Sequence, residues 1–138
     1  MHYSFEVDVL TSHTSTDPLI FPMKLASGIL RNVDFLFEVG DGYSSCLTLW
    51  DRGKQLLPTN ADGFYSADGL LVSGSLWYDI DENDNDLFLV AWNRGGVYDH
   101  AVIVMLDVKD PNEPELNSVM SLMIDTINRL IDLCKKLI

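Results

Sequence analysis

The densest group of side chains that could bind a metal ion is the string DIDENDND at residues 79–86. Calcium prefers oxygen ligands, and Asp79, Asp81 and Asn83 match the first three ligand positions of an EF-hand loop. The sixth position, which needs glycine, is Asp84, and the twelfth, which needs a bidentate glutamate, is Val90. The sequence therefore excludes an EF-hand.

A looser calcium site remains an alternative for this segment, with Asp79, Asp81, Asp84 and Asp86 as its ligands. The simpler interpretation is a solvated hairpin loop, because carboxylates in a surface loop stay hydrated. We favour the solvated loop, and we expect the chain to bind no metal and no other cofactor.

Residue types that serve in catalysis are scattered along the chain. His2, His13 and His100 share no motif, and no serine or cysteine lies in a nucleophile elbow. Asp99 and His100 could form an acid–base pair, but a polar turn is the more ordinary explanation. Phosphate-binding and dinucleotide-binding glycine motifs are absent from the sequence. We therefore expect a protein that is not an enzyme.

The elements that must position these side chains are β-strands, because apolar and polar residues alternate along most of the chain. About eight short strands separated by turn signals predict a mainly β domain over residues 1–110, an antiparallel, jelly-roll-like β-sandwich. One α-helix is predicted over residues 111–138. In the third strand, alternation places four side chains on one face: Ile29, Val33, Phe35 and Phe37.

Two late strands, LFLVAW at 87–92 and AVIVMLDV at 101–108, are apolar on both faces. Their short connection predicts that they pair as a hairpin. An antiparallel strand with one wet face should alternate, so both faces of this hairpin should be covered. Some further element must then supply the second cover.

The C-terminal helix carries an apolar seam in an unbroken heptad register, with spacings that alternate between four and three residues. The members of the seam are Leu116, Met120, Met123, Ile127, Leu130, Cys134 and Leu137. Ile124, Ile131 and Ile138 widen it on one flank. Such a stripe is wider than a two-stranded coiled coil requires, and it favours a trimer or larger bundle, or a helix lying in a groove of a sheet.

Two interpretations of this helix remain open at the level of sequence. It could cover the outer face of its own sandwich and supply the missing second layer. It could instead associate with copies of itself or dock on another protein. We favour association, because the heptad register is strict.

A loop with two Ala-Asp-Gly turns, TNADGFYSADG at 59–69, contains Phe64 and Tyr65. Aromatic side chains on a turn-rich loop are typical of surfaces that contact protein or sugar. The alternative is that one of the two folds back and closes the sandwich.

The formal net charge of −12 lies in residues 1–114, since the remainder holds three acidic and three basic side chains. A negative surface repels phosphate backbones and anionic lipid, so we expect neither nucleic acid nor a membrane as a partner. With no basic leader and no apolar run of ~18 residues, the chain is expected to be cytoplasmic on synthesis. Cys46 and Cys134 are expected to fill core positions as free thiols.

Three stretches resemble small β-sandwich proteins of unassigned function encoded by tailed phages and other viruses: LASGIL at 25–30, LLPTNADGFYSADG at 56–69 and FLVAWNRGGVYDHAVIVMLDV at 88–108. The shared features are a Gly-Ile strand start, Pro-Thr-Asn-x-Asp-Gly and a late Ala-Trp-Asn before a His-containing strand. The resemblance covers most of residues 3–108 and leaves out the helix.

This resemblance implies a virion structural protein: a capsid, decoration or head- or tail-associated subunit with a jelly-roll-like sandwich. Combined with the helix, it predicts a homo-oligomer that contacts other virion proteins and is located in the virion. The alternative is a β-sandwich module that binds carbohydrate or calcium through tryptophan, tyrosine and the acidic loop.

Overall fold

The computed structural model describes residues 1–110, 112 and 116–137, without the side chains of residues 116–118. Within this part of the chain lie eight β-strands followed by one α-helix. The strands are β1 (His2–Val9), β2 (Leu19–Met23), β3 (Gly28–Phe37), β4 (Ser45–Asp51), β5 (Lys54–Leu57), β6 (Leu71–Ile80), β7 (Leu87–Asn93) and β8 (His100–Lys109), and the helix is α1 (Leu116–Lys136). The predicted mainly β chain with a C-terminal helix is confirmed.

The strands form two antiparallel sheets of four. The first sheet has the order β1-β8-β3-β6, and the second has the order β2-β7-β4-β5. Strand β1 pairs with β8, β2 with β7, β3 with β6 and β4 with β5, and these pairs alternate between the two sheets. Each of the two sheets therefore contains two of these four antiparallel pairs.

The predicted hairpin between β7 and β8 is wrong, because the two strands belong to different sheets. Strand β7 pairs with β2 and β4, whereas β8 pairs with β1 and β3. Residues 94–99 therefore cross from one layer to the other. The acidic segment 81–86 crosses in the same way between β6 and β7, so it is not a hairpin loop either. A short connection indicates that two strands lie close together. It does not indicate whether they pair within one sheet or belong to two different sheets.

Side chains from the inner faces of both sheets form one apolar core. The largest fully buried side chains include Phe35 and Phe37 of β3, Leu47 and Leu49 of β4, and Leu89 of β7. Truncating a buried leucine to alanine costs ~2–5 kcal/mol, a large share of the ~5–15 kcal/mol that stabilises a typical domain. Apolar packing between the two layers therefore holds the sandwich together.

A β-bulge in β3 corrects the predicted facing of its first residues. The pairing register with both neighbouring strands shifts between Leu30 and Asn32. The extra residue, Arg31, reverses the alternation, so Leu30 is fully buried and Ile29 is not. The prediction for Ile29 is therefore wrong, whereas the three later members of the predicted face are buried.

The outer faces of β7 and β8 are only partly covered in the described chain, which contradicts the prediction of two covered faces. On β8, Val104 is fully buried, but Ile103 on the opposite face is 38% exposed. On β7, Phe88 stacks on Trp50 of the neighbouring strand, with 6.3 Å between the ring centroids. Neighbours within the same sheet therefore shield these apolar side chains in place of a second layer.

Candidate functional site

The apolar seam of α1 is exposed along the whole described part of the helix. Every side chain from residue 119 to residue 137 is exposed, and the seam and its flank range from 46% exposed at Ile131 to 86% at Leu137. The seam members with described side chains are Met120, Met123, Ile127, Leu130, Cys134 and Leu137, and those of the flank are Ile124 and Ile131. The side chain of Leu116 and all of Ile138 lie outside the described residues. From residue 119 to residue 137, the side chains of α1 therefore do not cover a sheet of their own chain.

The charged residues of α1 lie away from the seam. With Ile127 at position a of the heptad, the e positions hold isoleucine from residue 124 onward, and the g positions hold Val119, Thr126 and Leu133. The charged side chains occupy positions b, c and f: Asp125, Arg129, Asp132, Lys135 and Lys136. Two of these, Lys135 and Lys136, lie in the last turn, where the helix dipole favours cations. The helix thus presents a broad apolar face whose a, d, e and g positions from residue 119 onward carry no charge, with the charged residues beginning at the adjoining positions b and c.

A shallow groove of about 350 Å³ lies on this face of α1. Four of its lining residues, Val119, Leu122, Met123 and Thr126, have the spacing i, i+3, i+4 and i+7. Four helical residues so arranged form the type of hole that receives a side chain from a second helix. A side chain of a second helix could therefore insert at this position.

The two loop aromatics point to opposite sides of the second sheet. The backbone of Tyr65 pairs with Leu47 on β4 through hydrogen bonds of 2.9 and 3.0 Å, and its ring lies 5.1 Å from that of Phe35. Burial raises the pKa of the Tyr65 phenol. Phe64 lies on the other side, 5.4 Å from the ring of Trp92, and is 38% exposed. Tyr65 is thus the aromatic that closes the sandwich, and Phe64 keeps an exposed surface.

The side chains of the acidic segment make bonds within the protein. The four aspartates of the alternative calcium site are Asp79, Asp81, Asp84 and Asp86. Asp81 accepts a hydrogen bond from the backbone of Asn83 at 3.0 Å, and Asp84 forms an ion pair of 2.8 Å with Arg52. Among the described residues, no group of three or more His, Cys, Asp or Glu side chains is arranged to hold a metal.

A buried carboxylate next to this segment organises it. Oδ1 of Asp51 accepts the backbone N–H of Asp86 at 3.0 Å, and Oδ2 accepts the side-chain N–H of Asn85 at 2.7 Å and the hydroxyl of Tyr78. Burial alone would raise the pKa of Asp51, but these hydrogen bonds together hold it below its usual value. The hydrogen bond to Asp51, with burial, raises the pKa of Tyr78 to about 12.

Asp99 and His100 do not act on each other. Nδ1 of His100 lies 2.8 Å from Oε1 of Glu38, and Asp99 accepts the backbone N–H of Thr11 at 2.8 Å. Asp99 therefore contacts the segment that follows β1, and His100 contacts the segment that follows β3.

The two cysteines are free thiols in different environments. Burial raises the pKa of Cys46 to about 11, so this thiol is inert at neutral pH. Cys134 is exposed on α1. The expected core position is confirmed for Cys46 and is wrong for Cys134 within a single chain.

The sequence did not single out Trp77, an exposed aromatic residue within a strand. Trp77 on β6 is 63% exposed, more than either of the loop aromatics. The alternation of β6 contains the signal that could have found it: Ser73, Ser75 and Asp79 share its face, so Trp77 interrupts a polar face.

No helix in the part of the chain that the structure describes is long and apolar enough to cross a membrane. Comparison of the chain with protein-family models and with curated proteins found no match.

Proposed function

We propose that this protein is a non-enzymatic structural subunit of a virus particle, which assembles into a homo-oligomer through α1. The observation that carries the proposal is the exposed apolar face of the helix, with Ile127 at its centre 52% exposed. An exposed contiguous apolar surface of this kind marks an interaction site.

The energetics favour occupation of this face by other helices. Burying one Leu, Ile or Met side chain contributes roughly 1.5–3 kcal/mol, so five of them contribute on the order of 10 kcal/mol per helix. This is comparable with the ~4–15 kcal/mol that association costs in lost freedom. Helices in proteins gain most of their stability from packing of an apolar face, so association would also stabilise the conformation of α1.

A second copy is a better occupant than an unrelated protein because of the heptad register. A seam repeated every seven residues fits an identical seam in register, each side chain entering a hole on its neighbour. Apolar residues at positions a and d, at the e positions from residue 124 onward and at two of the three g positions give each helix two contact flanks. That width supports a trimer or larger bundle over a dimer.

The sandwich supports the virion part of the proposal through its strand order. Pairs β1·β8, β2·β7, β3·β6 and β4·β5, wound alternately into two sheets, are the pairing expected of a jelly roll. Eight-stranded jelly rolls build viral capsid proteins as well as lectins. The resemblance to small viral β-sandwich proteins points in the same direction. A capsid, decoration or head- or tail-associated position, with contacts to other virion proteins through Phe64, fits this architecture.

The mass of the purified protein in solution tests the assembly. We expect the wild type to sediment as a trimer or larger. Ile127→Asp should sediment as a monomer with the β-sheet circular dichroism signal intact, because it places like charges together in the seam and leaves the core of the sandwich untouched. The matched control is Asn128→Asp, which adds the same charge one residue further along and outside the seam.

Two outcomes would refute the assembly. One is a wild type that is monomeric at concentrations up to hundreds of micromolar. The other is an Ile127→Asp variant with the same oligomeric mass as Asn128→Asp. The virion location is tested separately. Virus particles are purified from a culture that produces this protein, and mass spectrometry should detect the protein in them as a stoichiometric component.

A further inference from the structure

The outer face of the first sheet presents two rows of aligned side chains. The register places Ser75, Asn32, Asp107 and His2 opposite one another across β6, β3, β8 and β1. The next row along the strands holds Ser73, Asp34, Met105 and Ser4. Adjacent strands lie ~4.8 Å apart, so each row spans about 14 Å. Seven of these eight side chains can form hydrogen bonds.

A groove of about 480 Å³ follows these rows, and its lining includes His2, Ser4, Asn32, Asp34 and Asp107. This is a size that suits a small ligand. It lies on the face of the sheet, where the backbone groups are already paired, so recognition must come from side chains. An added peptide strand would need an unpaired sheet edge instead.

Hydrogen bonds within the protein hold the polar groups of the groove in place. Asp34 Oδ1 accepts hydrogen bonds from Asn32 Nδ2 at 2.8 Å and from Ser73 Oγ at 2.5 Å, and neither bond uses Oδ2. Asp107 is held by Arg31 at 3.1 Å. Side chains fixed in this way lose little conformational freedom when a ligand binds.

Trp77 lies beside the two rows, on the same face of β6 and two residues beyond Ser75. Its ring is 63% exposed. The ammonium of Lys109 lies 5.6 Å from the ring centroid, which restricts the orientation of the indole. An exposed indole next to carboxylate and amide groups is a combination that recognises a sugar. The C–H face of the sugar ring packs on the indole, and the sugar hydroxyls form hydrogen bonds with the carboxylate and amide groups.

We propose that this face of the first sheet binds a neutral carbohydrate, with Asn32 and Asp34 in the groove as the groups that bind hydroxyls and with Trp77, outside the groove on β6, as the stacking platform. Charge selects against acidic ligands: Asp34 lines the groove, Asp107 is neutralised by its ion pair with Arg31, and the chain as a whole carries −12. The site is independent of the proposed assembly through α1. In a homo-oligomer, several copies would add avidity to a weak single site.

The probe is an array of neutral oligosaccharides built from hexose and N-acetylhexosamine, followed by calorimetric titration of the best binder. We expect saturable binding that shields Trp77 from acrylamide quenching. Trp77→Ala should weaken binding at least tenfold, and Trp77→Phe should retain most of it. Asn32→Ala with Asp34→Ala should abolish it.

The control is Tyr98→Ala, which removes another aromatic side chain that is 72% exposed but belongs to the loop between β7 and β8. It should bind as the wild type does. Because Trp77 is exposed, Trp77→Ala should melt within a few degrees of the wild type, so lost binding would not reflect unfolding. An array with no binder, or a binder that Trp77→Ala holds equally well, would overturn the proposal. The titration repeated on Ile127→Asp separates this site from assembly, since the affinity of a single site should not change.

Discussion

The hydroxyl of Tyr78, on β6 of the first sheet, donates a hydrogen bond to Oδ2 of Asp51, on β4 of the second sheet. The same carboxylate accepts hydrogen bonds from Asn85 and Asp86. One buried side chain therefore ties together both layers and the segment that crosses between them. In a sandwich held mainly by apolar packing, this tie is a polar and directional contact.

The hydrogen bond between Tyr78 and Asp51 should make the free energy of unfolding depend on pH in the alkaline range. The Tyr78 pKa is raised to about 12 from a usual value near ~10, so the neutral phenol is favoured in the folded state. Its contribution is complete below pH ~10 and is lost as the pH rises through about 12. We expect the urea midpoint of the wild type to fall over this range and that of Tyr78→Phe to fall less. Equal slopes for the two proteins would contradict this role.

The two faces of β8 should tolerate charge differently. Val104 is fully buried, and an unpaired carboxylate there costs several kcal/mol, so Val104→Asp should fail to fold. Met105 lies on the half-covered outer face, so Met105→Asp should fold and lose only ~0.2–1 kcal/mol from the like charge of Asp34 opposite. Circular dichroism and thermal melting measure both. Equal damage from the two substitutions would mean that the outer face is covered after all.

Calcium should not stabilise the protein. The carboxylates of Asp81 and Asp84 are engaged by Asn83 and Arg52, and the segment has no bidentate glutamate to close a site. We expect millimolar calcium to shift the melting temperature by no more than about a degree. The solvated-loop interpretation would fail if a large shift appeared and vanished in the double variant Asp81→Ala, Asp84→Ala.

Substitution of Gly28 should destabilise the protein, because β3 and β8 pack closely at this position. A Cβ at this position would lie 2.5 Å from the carbonyl oxygen of Lys109, a backbone atom that cannot move aside. We expect Gly28→Ala to cost ~1–3 kcal/mol in denaturant unfolding. The control is Gly53→Ala, where no atom lies within 4 Å of the added Cβ, and it should cost less than about 0.5 kcal/mol. Similar costs for both would refute the packing argument.

The reaction rate of Cys134 with a thiol reagent should show whether α1 is assembled, and Cys46 should serve as the internal control. Cys46 is buried with a pKa near 11, so it should not react with a disulfide reagent at pH 8 until the sandwich unfolds. Cys134 occupies a seam position, so it should react slowly in the assembled wild type. In Ile127→Asp it should react quickly, as one thiol per chain. A wild-type Cys134 that reacts at the rate of the variant would show an open seam.

The sequence alone determined the local facing of most side chains and the apolar face of the helix. Alternation of period two along β3 correctly placed Val33, Phe35 and Phe37 on one buried face, because facing within a strand depends only on neighbouring residues. The same local logic found the seam around Ile127. It also excluded an EF-hand, because the positions of ligands in that loop are fixed along the chain.

The tertiary structure decided what depends on residues far apart in the chain. Which strands pair is a non-local matter, so the sequence placed β7 and β8 in one hairpin where they lie in separate sheets. One bulged residue, Arg31, was enough to exchange Ile29 for Leu30 in the core, since a single insertion reverses the alternation. The tie between Tyr78 and Asp51 and the row beside Trp77 likewise exist only once the sheets are assembled. Periodicity specifies which way a side chain faces, and only the pairing of distant strands specifies what it meets.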